Sequence, residues 1–509
     1  MREYGLFIDG KFVSSSSGET IDSIDPSTGE FVARVPKATK RDARKAIDAA
    51  RRAFDAGEWS DRSPESRRDA LLGLCDKLWE RQAEIADLES RDSGMTIRNA
   101  TVMVAAGIQQ ARDLINTAAK VPLTEALPYG EFPLPAQHIA VREPYGVVSA
   151  IVPFNAPFVL MAWKLFPALA MGNTVVLKPS PHTPSSAMET AIAAAETDIP
   201  PGVLNVLPGG GVDVGEEMVS NPMVDRVAFT GSTEAGRRIG QLAAPTVKRV
   251  TLELGGKSAN VLLDDADLEV AIPGALWAVF LNQGQTCQAG SRLLVPEDQH
   301  DEVVDRIVQA ATQLRVGPTD SWDSDLGPLI SRQQLERVER YVRLGRDDGA
   351  QLACGGHRLT DEGLNDGYFF APTVFANVRN DMRIAQEEIF GPVLCVIPYS
   401  TVDEAVRIAN DSIYGLAGAV WSKDVPRALS VARRIKAGTV WVNDYHVLVT
   451  SGPYGGYRHS GLGKELGEAG CLEYVQTKQV WIDQGRTLKS HVWAPVLGLD
   501  RIFGINYDQ

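Results

Sequence analysis

Hydrophobic and polar positions change period along this chain, and each change predicts a different kind of structure. Up to residue 36, short apolar runs alternate with turn residues, as in "GLFIDGKFV" and "DPSTGE". Asp9-Gly10 and Ser27-Thr28-Gly29 supply the turns of two β-hairpins. A helical period begins near Thr39, with Asp42 three residues on. Its apolar stripe is Ala43, Ala46, Ile47, Ala50 and Phe54. A second helix starts after Ser63-Pro64, a cap followed by proline at the first helical position. Its stripe of Leu71, Leu74, Cys75 and Leu78 makes Cys75 a core residue. From Gly146 the strands "GVVSAIV", "NTVVLK", "VLNVL", "RVAFT" and "RVTLEL" alternate with helical segments. That rhythm predicts a parallel sheet with helices on both faces and a ligand crevice at the carboxyl ends of its strands. After Gly255 a second α/β region follows, with strands near "SRLLV", "PVLCVI", "LAGAVW" and "GTVWVN". Between the early helices and the first α/β region, Val121 to Arg142 is proline-rich and irregular, and reads as a hairpin arm outside the main body.

Composition narrows the function classes. The chain has 509 residues, enough for several domains, and a formal charge of −14. An acidic balance argues against a general nucleic-acid binder. Cys75, Cys287, Cys354, Cys395 and Cys471 are far apart, odd in number and form no CxxC pair. They suggest neither a metal site nor a disulfide framework, and fit a reducing cytoplasm. No apolar run reaches the ~18 residues of a membrane span, and "MREYGLFIDGKF" does not read as a signal peptide.

The candidate chemistry centres on "FLNQGQTCQAG", where Cys287 stands among small and polar residues instead of Val, Leu and Ile. A thiol is a competent nucleophile once it is accessible and deprotonated, and a polar loop rich in N–H groups provides both conditions. In "TLELGGKSAN", Glu253 lies inside an apolar strand. Buried there its pKa rises toward that of a general base, although the alternation with Leu252 and Leu254 equally permits an exposed face. In "IVPFNAPF", Asn155 sits at a strand end, as an oxyanion donor or as a turn asparagine before Pro157. Gly231-Ser232-Thr233 follows a strand and opens a helix, a place for a pyrophosphate or simply an N-capped turn. Lys178 ends the strand "VVLK" and either points into the crevice or is solvated.

Together these motifs resemble the aldehyde dehydrogenase superfamily, in its hydrolytic, non-CoA-acylating branch, from about residue 5 to about 482. The resemblance rests on "PFNAP", "LKPS", "FTGSTEAG", "LELGGKS", "FLNQGQTC", "EEIFGPV" and "PYGGYRHSGLGKELG" in that order. It implies a Rossmann-like parallel-sheet cofactor domain (1–121 and 146–254), an α/β catalytic domain (255–460) and a small β oligomerisation arm (122–145 and 470–485). A C-terminal tail (486–509) follows. By match of motif, Cys287 is the nucleophile, Glu253 the base, and Asn155 with the Cys287 backbone N–H the oxyanion hole. The implied cofactor contacts are Ile151, Phe154, Lys178, Ser180, Pro181, Gly211, Gly231, Ser232, Gly236, Leu254, Glu388 and Phe390. Lys178 holds the adenosine ribose, Ser232 the pyrophosphate and Glu388 the nicotinamide ribose.

The implied cofactor is NAD. The position three after Lys178 is Pro181, where many NAD-preferring members carry Glu, so NADP is expected to be tolerated. Phe154 stands where the family usually has Trp. The expected substrate pocket is Phe158, Leu160, Trp163, Thr286, Gln288, Tyr445, Val447 and Leu448. This largely apolar set favours an aromatic or medium-chain aliphatic aldehyde over a cationic one. A homodimer or homotetramer is expected, and Trp493, Leu497 and Phe503 of the tail are expected to pack on a neighbour. Two rivals remain: a CoA-acylating enzyme, against which Glu253 counts, and a non-catalytic descendant of the fold, against which Cys287 and Glu253 both count.

Overall fold

The computed structural model describes residues 2–130, 136–361, 363–485 and 487–505. An eight-stranded sheet runs in the spatial order Gly461–Leu462, Arg249–Glu253, Arg226–Thr230, Val147–Ile151, Thr174–Lys178, Leu204–Val206, Leu6–Ile8, Lys11–Val13. The five strands between residues 147 and 253 are parallel. Most of their residues are buried, as expected where helices cover both faces and the sequence reads as unbroken apolar runs. The chain lays down Val147–Ile151, moves outward to Thr174–Lys178 and Leu204–Val206, then crosses back to place Arg226–Thr230 on the other side. That reversal opens a crevice at the carboxyl end of Val147–Ile151.

A seven-stranded sheet has the order Gln351–Cys354, Thr373–Ala376, Val393–Tyr399, Arg292–Pro296, Ala259–Leu262, Ala417–Trp421, Thr439–Val442. All its neighbours are parallel except the antiparallel Gln351–Cys354 edge. The strands Ala259–Leu262, Gln351–Cys354, Thr373–Ala376 and Gly461–Leu462 go beyond those expected from the sequence pattern. They are short, two to four residues, and flanked by loops that blur any period.

The predicted local signals are realised. Asp9 and Gly10 both take positive φ between antiparallel Leu6–Ile8 and Lys11–Val13. Thr39 caps the helix Lys40–Asp55 in a reciprocal box with Asp42, and Ser63 caps Pro64–Glu80. Cys75 is fully buried with Leu71, Leu74 and Leu78. Among the described residues no helix is long and apolar enough to cross a membrane.

The irregular segment forms an arm. Val475–Asp483 pairs along nine residues with Ala136–Pro144, which pairs on its other side with Thr124–Ala126. The outer edge of Val475–Asp483 has no strand partner among the described residues. Residues 131–135 of the expected arm, and 486 and 506–509 of the expected tail, lie outside the described residues. The rest of the tail makes short helical turns at Trp493–Val496 and Leu499–Ile502. Val496, Leu497, Ile502 and Phe503 there are 64–80% exposed, an unusual density of bare apolar side chains.

Candidate active site

The polar stretch around Cys287 is buried, and its amides are the struts of the loop. Asn282, Gln283, Gln285 and Gln288 are all under a tenth exposed. Asn282 Nδ2 donates to Asn155 O at 2.7 Å, and Asn155 Nδ2 donates to Gln285 O at 2.9 Å. Gln283 Nε2 reaches Gly94 O, and Gln285 Oε1 accepts the Ile330 N–H. Asn282 and Gln283 take left-handed φ of 52° and 56°, backbone strain that these bonds must hold. At Gly284, also left-handed, a Cβ would collide with the backbone of Gly391. Apolar side chains in this loop could not bind the backbone of three other segments, at Gly94, Asn155 and Ile330, and for that reason the cysteine sits among Asn, Gln and Gly.

Cys287 itself borders an apolar cluster of Leu160, Trp163, Tyr454 and Leu448, with Tyr454 Oη 3.9 Å from its sulfur. Burial pushes the thiol up to about 12, reinforced by the carboxylates of Glu388 and Glu253 and opposed by Tyr454 and the Gln288 N–H. The resting thiol is therefore protonated at neutral pH and must lose its proton before it reacts.

Glu253 ends its strand facing inward, 4% exposed, so the solvated alternative does not hold. Neither of its oxygens has a hydrogen-bond partner. Burial raises it well above the usual carboxylate range, and nearby Glu465 adds to the rise while Lys164 and Lys464 oppose it. Lys164 and Glu465 form a buried ion pair, and Lys164 Nζ also donates to Thr230 Oγ1 at 2.6 Å. Sequence reasoning missed this pair. Its signal was present: Lys164 is the one charged residue in the helix Pro157–Ala170, every residue of which is buried.

The crevice side collects the expected dinucleotide contacts. Ser232 caps the helix Thr233–Ala243 by accepting the Ala235 N–H at 3.2 Å, which leaves its own O–H free to donate. Lys178 is 4% exposed, so the solvated reading fails here too; its ammonium donates to Pro179 O and Gly209 O at 3.0 Å each, and burial lowers it to about 8. Ile151 closes its strand beside Gly215, near Lys178. Ser180 is buried, with its hydroxyl accepting the His182 N–H, and Pro181 is half-buried. Gly211 lies exposed after the strand Leu204–Val206 with open space about it.

Close packing dictates three of the glycines. A Cβ at Gly231 would meet the Phe229 ring, at Gly236 the Leu254 side chain, and at Gly255 the Glu388 carboxylate. Glu388 accepts the Gly256 N–H at 3.1 Å and is pushed up to about 7 by burial. Phe390, at φ 62°, brings its ring 5.8 Å from that of Phe154. Gln334 and Arg337 donate to the carbonyls of residues 388–390 and fix this turn; no motif had singled them out.

The expected substrate-pocket residues divide. Leu160, Trp163 and Leu448 join the Cys287 cluster. Thr286 is half-buried beside the cysteine and donates to Leu281 O. Phe158 packs instead in the core, against Gly107, and its N–H is taken by Glu89 Oε2. Tyr445 is fully buried behind the loop, where its hydroxyl donates to Gln288 O, and Gln288 Nε2 meets His446 Nδ1. Val447 is 56% exposed.

A nucleophile, a buried carboxylate and an amide donor converging beside a dinucleotide-type crevice define a cysteine-dependent oxidoreductase site. The chain belongs to the aldehyde dehydrogenase family, whose model matches residues 12–480. It is 46% identical over 479 residues to the Bacillus subtilis protein DhaS, an aldehyde dehydrogenase by name, covering 94% of this chain and 95% of the relative. It is 42% identical to the betaine aldehyde dehydrogenase of the same organism, covering 94% and 96%. Among solved structures it matches betaine aldehyde dehydrogenase from Staphylococcus aureus in complex with NAD+, at TM-score 0.93 and 39% identity, covering 95% of each chain. An NAD+ complex of aldehyde dehydrogenase from Bacillus cereus matches at TM-score 0.92 and 39% identity, covering 95% of this chain and 97% of that one.

The buried pair gives a direct test of the electrostatic scaffold. Glu465→Ala leaves the Lys164 ammonium in the core with only Thr230 for company. The expected result is a loss of about 3 kcal/mol of stability, measured by urea unfolding.

Proposed function

We propose that the protein oxidises a neutral aldehyde to its carboxylate with NAD through a thioester on Cys287. The observation that carries this reading is the convergence of Cys287, the unpartnered Glu253 carboxylate and the Asn155 amide at the crevice mouth. Cys287 loses its proton to solvent and forms a C–S bond to the aldehyde carbon as the carbonyl π bond opens to an oxyanion. Asn155 has one N–H committed to Gln285 O, and its second N–H, with the Cys287 backbone N–H, holds the oxyanion; such a donor contributes about 3 kcal/mol. The nicotinamide ring, when bound, supplies the acceptor for the electron pair and hydrogen lost from the aldehyde C–H. Glu253 takes a proton from water, whose oxygen adds to the thioester carbon. The C–S bond breaks and the carboxylate leaves. An ordered thioester route splits one oxidation into two easier steps.

The residues present fit the dinucleotide. The helix Thr233–Ala243 offers N–H groups behind Ser232 that would hold the pyrophosphate, Gly211 leaves open space, and the buried Lys178 and half-buried Glu388 would bond the ribose hydroxyls. Glu253 also counts against transfer of the thioester to CoA, since water activation is its natural task there. Five unpaired cysteines fit a reducing cytoplasm.

The substrate reading follows from the cluster at the thiol, where Leu160, Trp163, Leu448 and Tyr454 are apolar or aromatic. That favours an aromatic or medium-chain aliphatic aldehyde. One observation favours a second reading. The Trp163 and Tyr454 rings lie 5.4 Å apart, a pair that can face a quaternary ammonium such as the betaine aldehyde of the named relatives. Comparing kcat/KM for benzaldehyde, hexanal and betaine aldehyde, with and without CoA, separates the readings. A preference for betaine aldehyde overturns the neutral-substrate reading.

Cys287→Ser is expected to abolish turnover with the fold intact. Glu253→Gln is expected to give a near-stoichiometric burst of reduced NAD followed by slow turnover. Because burial raises Glu253 well above the usual carboxylate range, the base is lost as pH falls, so the wild-type steady-state rate should climb with rising pH and this limb should vanish in Glu253→Gln. Equal losses in burst and steady state would assign Glu253 to thiol activation instead.

Pro181 supplies neither a hydrogen bond to the adenosine ribose nor repulsion of a 2′-phosphate, each worth on the order of 1 kcal/mol. NADP is therefore tolerated, and Pro181→Glu should raise the NAD/NADP ratio of kcat/KM about tenfold. A wild type that already rejects NADP more than about a thousandfold contradicts this.

The protein assembles with copies of itself through the arm and tail. The supporting features are the unpaired edge of Val475–Asp483 and the exposed Val496, Leu497, Ile502 and Phe503 beyond it. Truncation after Gly485 should raise the dissociation constant of the oligomer in sedimentation equilibrium, while truncation with an unchanged constant would place the interface elsewhere.

A further inference from the structure

Two consecutive residues hold the peptide that follows the nucleophile. Tyr445 Oη donates to Gln288 O at 2.8 Å, and His446 Nδ1 lies 2.9 Å from Gln288 Nε2. The other imidazole nitrogen, Nε2, lies 3.1 Å from Ala278 O. A carbonyl only accepts, so Nε2 carries the proton and Nδ1 accepts from Gln288. The same Ala278 carbonyl accepts the Gly290 N–H at 2.8 Å. One end of the helix Leu268–Phe280, the loop beyond Cys287 and the His446 ring are thus tied at a single point.

The segment carrying the two residues is itself strained and pinned. Asn443 and His446 take φ of 58° and 67°, a conformation that costs a non-glycine residue on the order of 1 kcal/mol. Trp277 Nε1 donates to Tyr445 O and Trp441 Nε1 donates to Val447 O, at 3.0 and 2.7 Å. The rings of Trp277, Trp441 and Tyr445 surround the imidazole, with centroids 4.8–6.3 Å away. Burial among them pushes His446 down to about 4 and keeps it neutral, in the tautomer its bonds require.

We propose that Tyr445 and His446 form a clamp that fixes the Gln288 peptide against the Cys287 thiol, which makes His446 a positioning residue for the nucleophile. The proposal rests on the assignment of Cys287 as nucleophile. The clamp acts through Gln288, whose N–H favours the thiolate. The other groups facing the thiol are Glu253, Glu388, Tyr454 and Tyr445 itself; the first three are bonded to neither Tyr445 nor His446, so changes in the clamp leave them in place.

Three variants read the clamp. His446→Phe keeps a ring and removes both bonds. His446→Asn keeps a side-chain oxygen near the Nδ1 position and tolerates positive φ. Tyr445→Phe removes one hydroxyl and nothing else. The measurement is the rate of Cys287 alkylation by iodoacetamide from pH 7 to 10, assigned by mass spectrometry of the Cys287 peptide, alongside the Kd for NAD. His446→Phe and Tyr445→Phe are expected to slow alkylation about fivefold or more at pH 8 and throughout the range. His446→Asn should stay within about twofold of wild type, and the Kd for NAD should not change in any variant. Wild-type alkylation in either phenylalanine variant, or an asparagine variant as slow as His446→Phe, overturns the clamp. If His446→Phe does not fold, Tyr445→Phe decides by the same criterion. Full dehydrogenase activity in Cys287→Ser would remove the nucleophile assignment instead, an outcome the alkylation comparison does not produce.

Discussion

The interaction on which the rest depends is the reciprocal exchange of amide bonds between Asn155 and the cysteine loop. Asn155 receives a bond from Asn282 at its backbone carbonyl and returns one from its side chain to the backbone of Gln285. Asn155 stands at the carboxyl end of a strand in the eight-stranded sheet, and the loop leads from a helix into a strand of the seven-stranded sheet. Two bonds of roughly 1 kcal/mol each are small against the folding energy. Their value lies in direction: both sheets must be placed correctly before either bond can form. The Cys287 loop and the Asn155 amide, the proposed nucleophile and oxyanion donor, are thereby set by the same contact.

Most of the fold was legible in the sequence because its signals are local. The Thr39 and Ser63 caps, the Asp9-Gly10 turn and the apolar strands from 147 to 253 each depend on a handful of neighbouring residues. The motif residues were legible for a related reason: each lies at a strand end or a helix start, where a polar residue among apolar ones stands out. What escaped depends on tertiary contact. Gln334 and Arg337 look like ordinary polar positions on an amphipathic helix until the turn at 388–390 folds onto them. Phe158 and Tyr445 lie beside motifs in sequence but turn into the core and behind the loop. Proximity along the chain reports which loop a residue belongs to, whereas the face it presents is set by packing.

The electrostatics of the site have one cause throughout. Burial raises Glu253, Glu388 and the Cys287 thiol alike, and the two carboxylates add to the rise of the thiol. Lys164 with Glu465 supplies fixed charge near Glu253, yet Glu253 itself is left without a partner. An unpartnered carboxyl in a core is destabilising, and a packed site would have paired it. Its persistence at the one place where a proton acceptor is needed fits a trade of stability for reactivity, as does the left-handed backbone at Asn282, Gln283, Phe390 and His446.

The same logic explains why the thiol is surrounded so differently on its two sides. Toward the substrate it meets Leu160, Trp163 and Leu448, which exclude water and hold no charge. Toward the protein it meets a shell of amides whose hydrogen bonds are nearly all to backbone. An apolar wall alone would leave the thiol inert, because nothing would favour its ionised form. A polar wall alone would admit water to compete with the thiol for the aldehyde carbon. Dividing the two surroundings between different segments, with the apolar side on the helix Pro157–Ala170 and the polar side on the loop itself, lets one residue be both dry and activated. The amide shell is tied to the geometry of both sheets through Asn155 and has little freedom to drift, whereas the apolar wall is free of that constraint.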